Sequence, residues 1–269
     1  MTRERARGAN LPRESSAVGD RIPLPRPHLR ELRPATHGGP DYALLAELGI
    51  DPAEVTDFSA NGNPYGPSPA VRAALATVGV DRYPDSACRA LVSRLAARHE
   101  VNSDQVLVGN RSTELIRLLA LCYLAPGDPC LIIEPTFGEY RAAAELAGAR
   151  VHAWRACAED GFRPDGAVIA ALARRLRPRL TFLCNPNNPT GVYLDRPAIE
   201  GLTEACSHGL VVIDQAYAPF VVTPWPAEPL LARGHVVLLH SLTKAEALAG
   251  LRLGYLLGPA PVVRVLRTA

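Results

Sequence analysis

From about residue 105 onward, short and nearly continuous apolar runs alternate with stretches of helical periodicity. The runs at 105–108, 130–133, 151–154, 181–184, 210–213 and 236–239 read as strands, the last of them as a buried one. Helices are predicted over 113–124, from just after 138 to about 148, and over 167–176 and 198–207. This order predicts an α/β fold, a three-layer, mostly parallel sheet covered by helices on both faces. Before it, shorter helices are predicted at 42–48, 68–78 and 85–98, the last capped by Asp85. Residues 57–67 read as a turn-rich loop. No fixed repeat period appears.

Charge and composition narrow the function classes. A net charge of +2 over 269 residues argues against a nucleic-acid or membrane-surface partner. The six cysteines form no CxxC pair and no ligand rhythm, so no metal site is expected, and they read as reduced core residues of a cytoplasmic protein. No signal peptide opens the chain, and apolar runs such as 118–125 are too short to span a bilayer. Residues 1–34 carry eight arginines among several prolines and read as a flexible basic arm, too proline-rich for a DNA-reading module.

In open α/β sheets, ligands collect outside the carboxyl ends of the strands, and the unusual loops of this chain all fall there. The turn 109–114, with Asn110, Arg111, Ser112 and Thr113, offers backbone amides and hydroxyls for an anion, or is only a helix cap. Asn188 sits in Asn-Pro-Thr-Gly and could be an ordinary turn residue. Asp214 follows Val-Val-Ile, and a carboxylate at a buried strand end costs free energy unless it is paired. Phe137 is core packing or a stacking plate, and Cys184 is most simply core. Lys244 follows Ser241 and Thr243, with Arg252 eight positions on. Burial would hold its amine partly uncharged, as a carbonyl-trapping nucleophile requires. Taken alone, Lys244 is equally a surface lysine beside an arginine.

Together these groups suit one ligand. Pyridoxal 5'-phosphate needs an amine (Lys244), an acid for its ring nitrogen (Asp214) and donors to its ring oxygen (Asn188, Tyr217). It also needs a plate for its ring (Phe137) and a phosphate cradle (Ser112, Thr113, Ser241, Thr243, Arg252). Lys244, Asp214 and Tyr217 are the expected catalytic residues.

The motifs Cys-Asn-Pro-Asn-Asn-Pro-Thr-Gly (184–191), Asp-Gln-Ala-Tyr (214–217) and Ser-Leu-Thr-Lys…Gly-Leu-Arg-Leu-Gly-Tyr (241–255) stand in an order that resembles the fold-type I, class I/II pyridoxal-phosphate aminotransferases. Within that family the chain most resembles the branch holding histidinol-phosphate aminotransferase and threonine-phosphate decarboxylase, and Thr-His-Gly-Gly (36–39), Asp-Phe-Ser-Ala-Asn-Gly-Asn-Pro (57–64) and Arg-Tyr-Pro-Asp (82–85) are similar to the decarboxylase of cobalamin biosynthesis. The resemblance implies a homodimer in which Tyr83 reaches the cofactor phosphate of the neighbouring subunit. It adds Asn110 and Arg111 to the cofactor site and places His37, Asn63 and Asn185 near a small, phosphorylated amino acid substrate. It divides the chain into the arm (1–34), an amino-terminal segment of the small domain (35–66) and a large cofactor-binding domain (67–269). That domain is expected to be incomplete, because the chain stops where the family enters its connecting helix, before the carboxy-terminal domain that clamps the substrate carboxylate.

The reaction first expected is decarboxylation of L-threonine O-3-phosphate in cobalamin biosynthesis. Transamination of a histidinol-phosphate type is the second reading, and a non-catalytic cofactor-binding protein the third. Three departures from the decarboxylase pattern bear on this. Arg111 stands where glycine is usual, Gln215 replaces glutamate beside Asp214, and Tyr217 is the aminotransferase-like residue.

Overall fold

The computed structural model describes residues 24–30, 32, 35 and 38–269. Of the arm only residues 24–30 and 32 are described, with a 3-10 turn at Pro27–Leu29, and His37 lies outside the described residues. Among those described, seven strands form one sheet: β1 (Val106–Asn110), β2 (Pro129–Glu134), β3 (Arg150–Arg155), β4 (Leu180–Cys184), β5 (Leu210–Asp214), β6 (Val236–Ser241) and β7 (Leu253–Leu257). Their order is β1-β7-β6-β5-β4-β2-β3. β2, β3, β4, β5 and β6 run parallel. The expected α/β, mostly parallel architecture is present.

Burial follows from strand periodicity. β4 and β5 are buried at every position, because alternate side chains enter two separate cores. Leu183, Val211, Ile213 and Leu238 pack on one face, while Phe182, Val212, Val237 and Leu239 pack on the other. The first face is covered by α3 (Arg89–Arg98), α6 (Gly166–Leu176) and α7 (Arg196–Ala205), and the second by α4 (Arg111–Tyr123), α5 (Glu139–Leu146) and α8 (Ala260–Thr268). Each fully buried leucine or isoleucine contributes about 1.5–3 kcal/mol. Asp165 and Asp195 start α6 and α7 by accepting hydrogen bonds from first-turn amides. Two short helices, α1 (Tyr42–Glu47) and α2 (Pro69–Leu75), precede the sheet and bury no residue.

Three sequence expectations change. The helix expected from Asp85 begins at Arg89, because Cys88 takes a left-handed φ of 49°. Asp85 organises that turn, accepting from the amides of Ala87 and Arg89. Leu253–Leu257 is a strand, where the sequence suggests only an arginine-bearing motif. It inserts antiparallel between β1 and β6, so the sheet is mixed at this edge. Of the six free cysteines, Cys157 is exposed, whereas Cys130, Cys184 and Cys206 are core residues.

β6 is braced from the face opposite Ser241. His240 stacks on Tyr255 at 4.7 Å, and His99 bridges Glu228 Oε1 and Tyr255 Oη at 2.8 Å each. Burial pushes the His240 imidazole down to about 3, so it packs as a neutral ring. Among the described residues, no helix is long and apolar enough to cross a membrane.

Candidate active site

Because β1, β4, β5 and β6 point the same way, their carboxyl ends share one rim. Register aligns Cys184 with Asp214 and Asp214 with Leu239, so the carboxylate sits between the loops that leave β4 and β6. A cavity of about 310 Å³ opens at this rim. Its wall combines Arg111, Ser112 and Thr113 at the start of α4, Phe137 and Tyr140 from the β2–α5 region, Asn188, Asp214, Tyr217, Ser241, Thr243 and Lys244. Residues more than a hundred positions apart thus meet on one surface.

The α4 end is shaped by a close approach. The Arg111 amide donates to Arg252 O at 2.7 Å, and the Asn110 amide donates to Glu114 Oε2 at 2.6 Å. This leaves the Ser112 and Thr113 amides, which a first helical turn cannot bond internally, at the cavity wall. Arg111 takes a φ of 70°, which costs a non-glycine residue of order 1–3 kcal/mol. Gly254 on β7 permits the approach, since a Cβ there would lie 2.6 Å from Arg111 C and Ser112 N. Gly254→Ala is expected to push the turn off β7. The change should lower stability by about 1–3 kcal/mol and weaken phosphate or cofactor binding, read by thermal melts with and without ligand.

Asp214 is 3 % exposed. Its Oδ2 accepts from Tyr140 Oη at 2.8 Å and its Oδ1 from the Ala216 amide at 2.9 Å. Burial raises its carboxyl above the usual carboxylate range, although these two donors and Lys244 pull it back. Lys244 is half-buried on the loop beyond β6, with Nζ 5.7 Å from the Tyr217 ring centroid. Burial lowers its amine, the Arg111 charge lowers it further, and Asp214 opposes both. Burial also raises Tyr217, against a hydrogen bond to the Asn61 side chain. Cys184 is pushed up to about 12, by burial and then by Asp214, so it stays a thiol.

Other groups hold this set in place. Thr136 Oγ1 donates to Asn187 Oδ1 at 2.8 Å, and Asn187 Nδ2 donates to Pro135 O at 2.8 Å, tying the Asn188 loop to the Phe137 turn. Asn63 donates its amide to Lys244 O and its Nδ2 to Ala245 O, bracing the lysine loop from outside the cavity wall. Ser241 Oγ and Thr243 Oγ1 lie 2.7 Å apart.

Several expected residues stand apart from the wall. Asn185 is fully buried, with both amide atoms engaged by the Leu194 backbone. Arg252 directs Nη1 to Ala249 O at 2.7 Å. Asn110 contributes only its backbone turn, and the Tyr83 ring is fully exposed. Conversely, Tyr140 and Asn61 line the cavity without having been singled out. Tyr140 had a legible signal, since a tyrosine one helical turn after Phe137 must find a partner for its hydroxyl when buried.

Set against known proteins, residues 53–269 match the family described as aminotransferase class I and II. The histidinol-phosphate aminotransferase of Moorella thermoacetica is 35% identical over 250 residues, spanning 90% of this chain and 63% of the relative. The corresponding protein of Symbiobacterium thermophilum is 39% identical over 236 residues, or 86% of this chain and 63% of the relative. The threonine-phosphate decarboxylase of Salmonella typhimurium is 36% identical over 227 residues, covering 82% and 61%. In fold, the chain is similar to the Sinorhizobium meliloti histidinol-phosphate aminotransferase solved with pyridoxal-5'-phosphate, with a TM-score of 0.78 and 24% identity over 90% of this chain and 65% of that one. The chain therefore spans less than two thirds of the length of these relatives. The cavity fits the family's cofactor, pyridoxal 5'-phosphate, because it sets a buried acid, a half-buried amine and an open amide turn around one space. On the family match and these identities, the chain belongs to the class I and II aminotransferases.

Proposed function

We propose that this chain forms the cofactor-binding part of an aminotransferase for a small phosphorylated amino compound, of the histidinol-phosphate type. The observation that carries the reading is that Asp214, raised by burial, and Lys244, lowered by it, share one cavity with the amide turn of α4. Oppositely perturbed acid and base on one wall are the mark of a site built for proton transfer.

Pyridoxal 5'-phosphate, when bound, supplies an electron sink at the substrate α-carbon. The buried Asp214 carboxylate would keep a proton on the cofactor's ring nitrogen, with Tyr140 fixing its orientation. Tyr217 Oη and Asn188 would donate to the ring oxygen, Phe137 would cover the ring, and Ser112, Thr113, Ser241 and Thr243 would serve the phosphate, joined by Arg252 if its guanidinium turns from Ala249 O toward the cavity. The Lys244 amine would hold the cofactor covalently and then carry the proton to and from the α-carbon. Asn63 and His37 belong to the proposed substrate side, and Asn185 would act there through the 185–194 loop.

Transamination is favoured over decarboxylation by Tyr217 and by the histidinol-phosphate aminotransferases among the relatives. The threonine-phosphate decarboxylase reading keeps the support of the 57–64 and 82–85 motifs. Assaying the chain on histidinol phosphate and on O-phospho-L-threonine, with and without a 2-oxo acid, separates the two. Turnover that requires the 2-oxo acid is expected. Carbon dioxide release without it assigns the decarboxylase, and no turnover of either compound rejects both.

The partner we propose is a second copy of this chain. Phe58, Tyr65, Val80 and Tyr83 are 91, 93, 95 and 102 % exposed, an apolar display that a second subunit would cover, with Tyr83 meeting its cofactor phosphate. A monomeric mass in solution would reject this. Six free cysteines suit the reducing cytoplasm as its compartment.

A further inference from the structure

The cavity carries more positive charge than its fold requires. Lys244 and Arg111 both line it, and the charge of one opposes the charge of the other. The single carboxylate among the described residues of the wall, Asp214, is occupied by Tyr140 and Ala216. Among the described residues, no ion pair or hydrogen bond engages the Arg111 guanidinium. Arg252, the other arginine of this corner, is outside the wall and bonded to Ala249 O. At a φ of 70°, glycine would serve Arg111's backbone without steric cost. A side chain that the turn does not need, carried at a strained backbone position and delivered as an unengaged cation into a cavity, points to a ligand rather than to folding. Arginine's planar fork matches two oxygens of a phosphate at once.

We propose that the Arg111 guanidinium is an anion-binding arm of this cavity, closing on a phosphate dianion beside the amides of Ser112 and Thr113. The inference rests on the reading that the cavity takes a phosphorylated cofactor and substrate. The dianion is carried by one or the other, and the chemistry of recognition is shared.

Arg111→Gly removes the side chain and relaxes the turn, while Arg111→Gln removes the charge and keeps the strain. Inorganic phosphate should raise the melting temperature of the parent chain, and both variants should lose that rise. If the arm serves the cofactor, affinity for pyridoxal 5'-phosphate falls tenfold or more in both variants, while affinity for pyridoxal stays within twofold. If it serves the substrate, cofactor affinity stays within twofold. The spectral titration with O-phospho-L-threonine then weakens tenfold or more, and that with threonine does not change. A retained phosphate-induced rise, with both titrations within twofold of the parent, overturns the proposal. So does an effect confined to Arg111→Gly, which would belong to the backbone alone. Failure of the lysine reading would appear separately, as a cofactor absorbance band that survives Lys244→Ala beside an intact phosphate response.

Discussion

Lys244→Ala is expected to abolish the borohydride-reducible absorbance band that forms when the chain is mixed with pyridoxal 5'-phosphate, and to lower any turnover by about 10²–10⁴-fold or more. The physical ground is that, among the described residues, Lys244 carries the only amine on the cavity wall, and burial makes its neutral form accessible. Lys244→Arg keeps the positive charge but cannot be deprotonated, so it too should lose the band. A band that persists in either variant removes the lysine from its role. The reducible bond should form with an apparent midpoint below the 10.5 of a solvated lysine. Since the Asp214 charge works against that lowering, Asp214→Asn should move the midpoint down further.

Asp214→Asn should separate stability from function. In the folded chain burial raises this carboxyl above 3.8, so the folded state binds the proton more tightly than the unfolded chain does. Stability from this group is therefore fullest below pH 3.8 and is lost as pH rises through the raised folded value. Asparagine carries no charge to desolvate, and the Tyr140 hydroxyl, which accepts as well as donates, can turn to meet its Nδ2. The unliganded variant should melt higher than the parent at neutral pH, with a flatter dependence on pH above 3.8. Its turnover should fall by about 10²–10⁴-fold, since a proton on the cofactor's ring nitrogen is no longer secured. Lower melting together with full activity would contradict both halves of the argument.

Strands β2, β4, β5 and β6 were legible because burial on both faces leaves an unbroken apolar run. β7 was not, since Leu-Gly-Tyr-Leu-Leu is short and begins beside the arginine motif. The rim residues Asp214, Lys244, Asn188 and Ser112 were legible because loops after parallel strands gather on one side of a sheet. Asn61 was not, as it arrives from a loop whose position only tertiary packing decides. Arg252 and Asn185 show the opposite limit. Local carbonyls and amides hold both side chains off the cavity wall, and spacing alone cannot reveal that placement.

The strand carrying Gly254 has a consequence for the order in which the molecule becomes competent. β1 reaches the parallel strands only through β7, and the α4 turn takes its shape against Arg252 and Gly254. On the ribosome β1 and the five parallel strands all emerge before β7, so the α4 turn stays unsupported until Leu257 is clear of the exit tunnel. The turn proposed to hold the anion is thus completed only after the strands whose rim it shares.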